Sequence, residues 1–167
     1  MKNKNWIQYV PDEPKHGAGI MYLQDEEGND WYDSYLKFKK KYKFTYETDT
    51  GIIRSVSEEA GMLYVSGLSV SDTDDLPVGF DIFGNWKYTG DNICPNVVAL
   101  IKNAEVQRSN LLAEAERRIT LLERAMRLGV ASNAERNTLD ALELYTITLS
   151  RLDISSAPAI SWPAVPE

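Results

Sequence analysis

After Pro95 the apolar positions fall into a helical rhythm. Leu112, Ala115, Ile119, Leu122 and Met126 are spaced 3, 4, 3 and 4 residues apart, which aligns them along one face of a helix. Val98 and Ile101 extend the stripe toward its start, Glu105 and Arg108 interrupt it, and Asn96 is a suitable N-cap. Such a helix runs to about 32 residues, or roughly 48 Å at 1.5 Å per residue. Gly129 stands where a left-handed C-terminal cap belongs, and Ser132 with Glu135 forms a capping box that opens a second helix. Leu139, Leu142, Tyr145, Leu149 and Leu152 give that helix its own apolar stripe, so the short connection predicts an antiparallel αα-hairpin. From Asp153 onward Pro158, Pro163 and Pro166 rule out further helix. The terminal segment is therefore extended, and its Ile160 and Trp162 need something to pack against.

Before Cys94 the pattern is short, alternating and punctuated by turns. Lys41 to Glu47 places Tyr42, Phe44 and Tyr46 on one face and Lys43, Thr45 and Glu47 on the other. Asp49-Thr50-Gly51 and the apolar pair Ile52-Ile53 follow, which predicts a hairpin. Gly19 to Leu23, a turn over Asp25 to Asp30, and Trp31-Tyr32 predict another. Leu63 to Val70 and Trp86 to Tyr88 are further strands, with an acidic loop at Asp72 to Pro77 between them.

Composition changes at the same place. All ten glycines except Gly129, all four tryptophans except Trp162 and eight of the nine tyrosines precede Cys94, a bias that suits strands and tight turns. The reading is an α+β protein: a β-rich domain over residues 1–93, then a helical hairpin with an extended tail over 94–167. Two helices alone bury little apolar surface, so dimerisation or docking onto a partner is expected.

Charge and residue inventory narrow the chemistry. A net charge of -7 and an isoelectric point near 4.8 oppose general binding to nucleic acid or anionic membrane. No apolar run approaches the roughly 20 residues that cross a bilayer, and no signal sequence follows the first lysines. One cysteine and one histidine supply neither an internal disulfide nor a multi-histidine metal site, and no cofactor is implied.

The closing segment carries a more specific signal. Ile119 to Ser132 (ITLLERAMRLGVAS), Leu144-Tyr145, and Arg151 to Pro158 ending in Trp162-Pro163 resemble the tail fibre assembly proteins of lambda-like, Mu-like and P2-like phages and prophages. Leu128 to Glu135 matches that family's L-G-x-A-T-x-x-E turn, and Arg151 to Pro163 its R-V-D-x-S-x-A-P-x-I-x-W-P ending. Asp25 to Tyr32 and Trp86 to Gly90 carry a weaker likeness to one lambda-like subgroup. Leu152 replaces the family's frequent valine, and Glu143 to Ile147 lacks its basic run. The resemblance implies a non-enzymatic chaperone that acts on the carboxy-terminal tip of a tail fibre protein and promotes its trimerisation in the host cytoplasm, in some members staying attached. A homodimer is expected. The alternative is a permanent subunit of the virion fibre tip that contacts a bacterial surface glycan.

Other features have plainer readings. The lysines from Lys37 to Lys43 suit a solvated strand edge that blocks aggregation, and Asp72, Asp74, Asp75 and Asp81 lack the spacing of a calcium loop. His16 has no patterned catalytic partner, and Cys94 reads as a lone buried thiol. Trp31, Tyr32, Trp86 and Tyr88 are candidates for partner contact because aromatics dominate binding hot spots, with core packing as the competing role. Asp153, Pro158, Ile160, Trp162 and Pro163 complete the candidate contact set. No catalytic residue is assigned.

Overall fold

The computed structural model describes residues 2–3, 5–17 and 19–167. The chain divides into two compact units, Met1–Asn96 and Val97–Glu167.

The first unit contains strands β1 (Lys2–Asn3), β2 (Ile7–Tyr9) and β3 (Tyr22–Gln24), a short helix α1 (Trp31–Ser34), then β4 (Tyr42–Tyr46), β5 (Ile53–Ser57), β6 (Ser69–Thr73), β7 (Trp86–Tyr88) and β8 (Ile93–Pro95). A four-stranded sheet runs in the order β1-β6-β4-β5, and β2-β3 and β7-β8 form separate antiparallel pairs. One core gathers Trp6, Leu23, Trp31, Phe38, Ala60, Leu63, Val65 and Val70, and another gathers Phe44, Tyr46 and Ile53 under Trp86, Tyr88 and Ile93. Trp6 meets Trp31 edge to face at 4.9 Å, a favoured geometry for aromatic quadrupoles.

The predicted β4-β5 hairpin is present, with Phe44 opposite Val56 and Thr45 opposite Ser55. Gly51 turns it at φ +74°, and a Cβ there would lie 2.4 Å from the Tyr88 carbonyl oxygen, so only glycine fits. Thr45, on the face expected to be polar, is fully buried. As an inner strand β4 is flanked by β5 and β6 on its two edges, and the Thr45 hydroxyl is hydrogen-bonded to Ser55 at 2.6 Å, which satisfies it where it is buried.

Three local expectations are corrected. Trp31-Tyr32 is not a strand: the Asp30 carboxylate accepts from the Tyr32 backbone N–H at 2.7 Å and starts α1, so N-capping overrides aromatic strand propensity. The Leu63 to Val70 run is interrupted by a turn in which Gly67, at φ +74°, donates to the Trp6 carbonyl at 2.7 Å, and the strand begins at Ser69. The lysine run is not a strand edge. Lys41 precedes β4, and Lys43 sits on that inner strand between β5 and β6.

In the second unit α2 (Val97–Arg127) and α3 (Asn133–Ser150) form the helical pair. At 31 residues α2 is about 46 Å long. Ala115, Ile119, Leu139, Leu142, Tyr145 and Leu149 are buried between the helices, with Leu111, Leu112, Leu122, Leu152 and Trp162 packed against them. Met126, the last position of the predicted stripe, is exposed. Gly129 at φ +71° and the Val130 N–H bonded to the Ala125 carbonyl end α2 in Schellman fashion. The capping box is present, with Ser132 Oγ accepting from Glu135 N–H and the Glu135 carboxylate accepting from Ser132 N–H. The tail folds back on its own helices: Trp162 joins their core, and Arg118 donates to the Pro166 carbonyl at 2.8 Å. No helix among the described residues is long and apolar enough to cross a membrane.

Candidate partner-binding surfaces

The aromatics singled out from sequence separate by environment. Trp31 is buried in the first core and contributes packing. Tyr88 is half-buried, edge-on to Phe44 and Tyr46 at 5.1 and 5.0 Å, and its hydroxyl donates to the Gly90 carbonyl at 2.5 Å. Trp86 is half-buried against Phe80. Tyr32 is half-buried, with its ring 5.0 Å from the His16 imidazole.

In the second unit Trp162 is half-buried in the helical core, Ile160 and Pro163 are half-buried, and Pro158 is exposed. The Asp153 carboxylate accepts from the Ser155 hydroxyl and backbone N–H at 2.7 and 2.9 Å. Those bonds hold its pKa below the ordinary value. Asp153 is thus the cap of a 3-10 turn over Ile154–Ser156.

The lysine run and the acidic turn, far apart in sequence, meet in the fold. Asp72 accepts from the backbone N–H groups of Lys39 and Lys40 at 2.9 and 3.1 Å, and Asp74 from that of Lys41 at 3.4 Å. Burial opposes ionisation of Asp72, yet hydrogen bonds that include these two outweigh it and hold the carboxyl below its usual range. Asp72 and Asp74 therefore fasten the backbone that leads into β4. Cys94 is half-buried on β8, not fully enclosed as expected.

An apolar groove of about 630 Å³ lies beside this segment, lined by Tyr35, Leu36, Phe38, Ala60, Met62 and the lysines Lys39 and Lys43, among others. Leu36 is 64% and Met62 76% exposed, well beyond what packing requires of either. Sequence reading missed this surface. Leu36 lies in a 3-10 turn over Tyr35–Lys37 and Met62 in another over Ala60–Met62, both too short to show a periodic pattern in the sequence. In the second unit Leu144 and Ile147 stand on the outer face of α3, 66% and 46% exposed.

A separate cleft of about 440 Å³ is lined by Tyr9, Glu13, Lys15, His16, Tyr22, Asp30 and Asp33, among others. The Tyr9 hydroxyl donates to Asp30 Oδ2 at 2.8 Å. That bond, with burial and the nearby carboxylates, pushes the Tyr9 pKa up to about 12.

The family described as Caudovirales tail fibre assembly protein, lambda gpK, matches residues 38–167. Tail fiber assembly protein U of Escherichia phage Mu is 30% identical over 154 residues, covering 89% of this chain and 86% of the relative. The probable tail fiber assembly protein of Escherichia phage P2 has the same identity and coverage. The tail fiber assembly protein of Escherichia phage lambda is 39% identical over 66 residues, 40% of this chain and 34% of that protein. The chain belongs to the tail fibre assembly protein family of tailed phages, as the residues of its second half implied, and its role lies in assembly of the phage tail fibre.

Proposed function

We propose that the chain is a non-enzymatic chaperone that binds the carboxy-terminal region of a phage tail fibre protein in the bacterial cytoplasm and promotes its folding and trimerisation. Family membership carries this reading. Physical logic supports it: trimeric β-structured fibre tips depend on non-local contacts, fold slowly and expose strand edges and apolar surface while incomplete. The groove at Leu36 and Met62 offers an apolar face edged by Lys39, Lys43 and Glu59, suited to a transiently exposed apolar segment. The exposed Leu144 and Ile147 pair on α3 is the counterpart surface for a second copy of the chain, giving a homodimer. Of the aromatics, Tyr32, Trp86 and Tyr88 keep exposed edges for contact.

Co-expression with the carboxy-terminal segment of the neighbouring fibre protein tests this reading. The expected result is soluble, heat-resistant fibre trimer that forms only in the presence of this chain. Fibre that trimerises equally well alone removes the chaperone role. Mass spectrometry of purified particles separates a transient helper, absent from them, from a permanent tip subunit in contact with a surface glycan.

A further inference from the structure

The cleft between the segment around His16 and helix α1 holds three metal-ligating side chains that the assembly role does not use. The ligand atoms of His16, Asp30 and Asp33 all lie within 4.8 Å of one another. We propose that these three residues bind a divalent transition-metal cation, with zinc the best match, and that the metal staples the His16 segment to α1. This inference stands independently of the chaperone reading.

Two ligands about 2.1 Å from a tetrahedral zinc are about 3.4 Å apart. His16 Nε2 lies 3.7 Å from Asp33 Oδ1, close to that spacing, so a small side-chain adjustment closes the set. The donors are also oriented from behind. Asp30 Oδ2 accepts from the Tyr9 hydroxyl at 2.8 Å and Oδ1 from the Tyr32 N–H at 2.7 Å, which fixes the carboxylate while leaving each oxygen a further lone pair. The backbone N–H of His16 donates to the Tyr22 hydroxyl at 2.8 Å, and that hydroxyl donates in turn to the Gly17 carbonyl at 3.1 Å. The imidazole rests against Tyr32. The bonds to the Asp30 carboxylate are of the kind that forms the second layer of a metal site, while the Tyr22 bond fixes the backbone that carries His16. One imidazole and two carboxylates suit zinc and its neighbours, whereas calcium and magnesium take all-oxygen sets. Lys15 Nζ, 3.7 Å from Asp33 Oδ2, is the resident cation that the metal displaces, and the open cleft leaves room for a water as fourth ligand.

Calorimetric titration of the full chain with zinc chloride, alongside His16→Gln, Asp33→Asn and Cys94→Ser, tests the proposal. The expected result is one zinc per chain in the wild type and in C94S, at least tenfold weaker binding in H16Q and D33N, and no binding of calcium. Thermal melts check the fold: without metal H16Q melts with the wild type, and zinc raises the melting temperature of the wild type and of C94S but not of H16Q. Absence of stoichiometric zinc binding overturns the site. So does H16Q binding as tightly as the wild type, or loss of binding in C94S.

Discussion

The two units solve burial differently. In Val97–Glu167 two helices close on one stripe of regularly spaced side chains, and the tail lies along them. In Met1–Asn96 two cores are assembled from residues scattered across the unit, Trp6 meeting Trp31 in one and Phe44 meeting Tyr88 in the other. The helical unit is consequently governed by local signals, whose removal weakens it in predictable steps. The β-rich unit depends on contacts between distant segments, and single turns govern how those segments meet.

The sharpest way to break this contrast is at the centre of the helical pair. Leu142 is fully buried, so Leu142→Ala is expected to destabilise the second unit by about 2–5 kcal/mol. Denaturation followed by circular dichroism at the helical band checks it. The same change should leave the burial of Trp6 and Trp31, read by fluorescence, intact at denaturant concentrations that melt the helices.

Trp162→Ala removes a half-buried ring from that core and is expected to cost ~1–3 kcal/mol. Equal stability of variant and wild type would show that the tail does not complete the helical pair. In the other unit Gly51→Ala forces a Cβ against the Tyr88 carbonyl at positive φ, with an expected loss of about 1–3 kcal/mol. Amide exchange at the β4-β5 hairpin should rise in that variant and stay unchanged in α3.

These contrasts follow what the sequence made legible. The capping box at Ser132 and Glu135, the cap at Gly129 and the stripe from Leu139 to Leu149 were readable because each signal lies within four residues of its partner. The stripe on α2 was readable from Leu112 to Leu122, whereas Val98, placed at its start, is exposed. In the β-rich unit the hairpin around Gly51 was legible for the same reason. The helix at Trp31 was not, because Asp30 acts as a cap that competes with a hairpin turn. The inner position of β4 depends on β6, more than twenty residues away, and no local pattern reports it. The candidate site was legible only in part. The closing motif identified the family, but the groove at Leu36 and Met62 and the meeting of His16 with Asp33 are products of tertiary structure.

Smaller effects sharpen the account of the helical unit. Ser132→Ala is expected to cost ~1 kcal/mol through loss of the cap, measurable as a lowered denaturation midpoint. The backbone and hydroxyl of Ser132 hold the Glu135 pKa below its ordinary value, and Ser155 does the same for Asp153. A depressed carboxylate stabilises the fold fully above its unfolded pKa, about 4, and that contribution is lost as pH falls through the folded value. Melting temperature of the second unit should therefore decline on acidification below about pH 4, with a shallower decline in Glu135→Gln. An identical pH profile in that variant would assign the acid sensitivity elsewhere.

The most direct test of the central claim is the mass of the complex between purified chain and the carboxy-terminal fibre segment, measured by light scattering for the wild type and for Met62→Asp, whose exposed position spares the fold. The account predicts a defined complex with the wild type and its loss in M62D, with both proteins melting alike when alone. A wild-type chain that forms no complex with the fibre segment would contradict it.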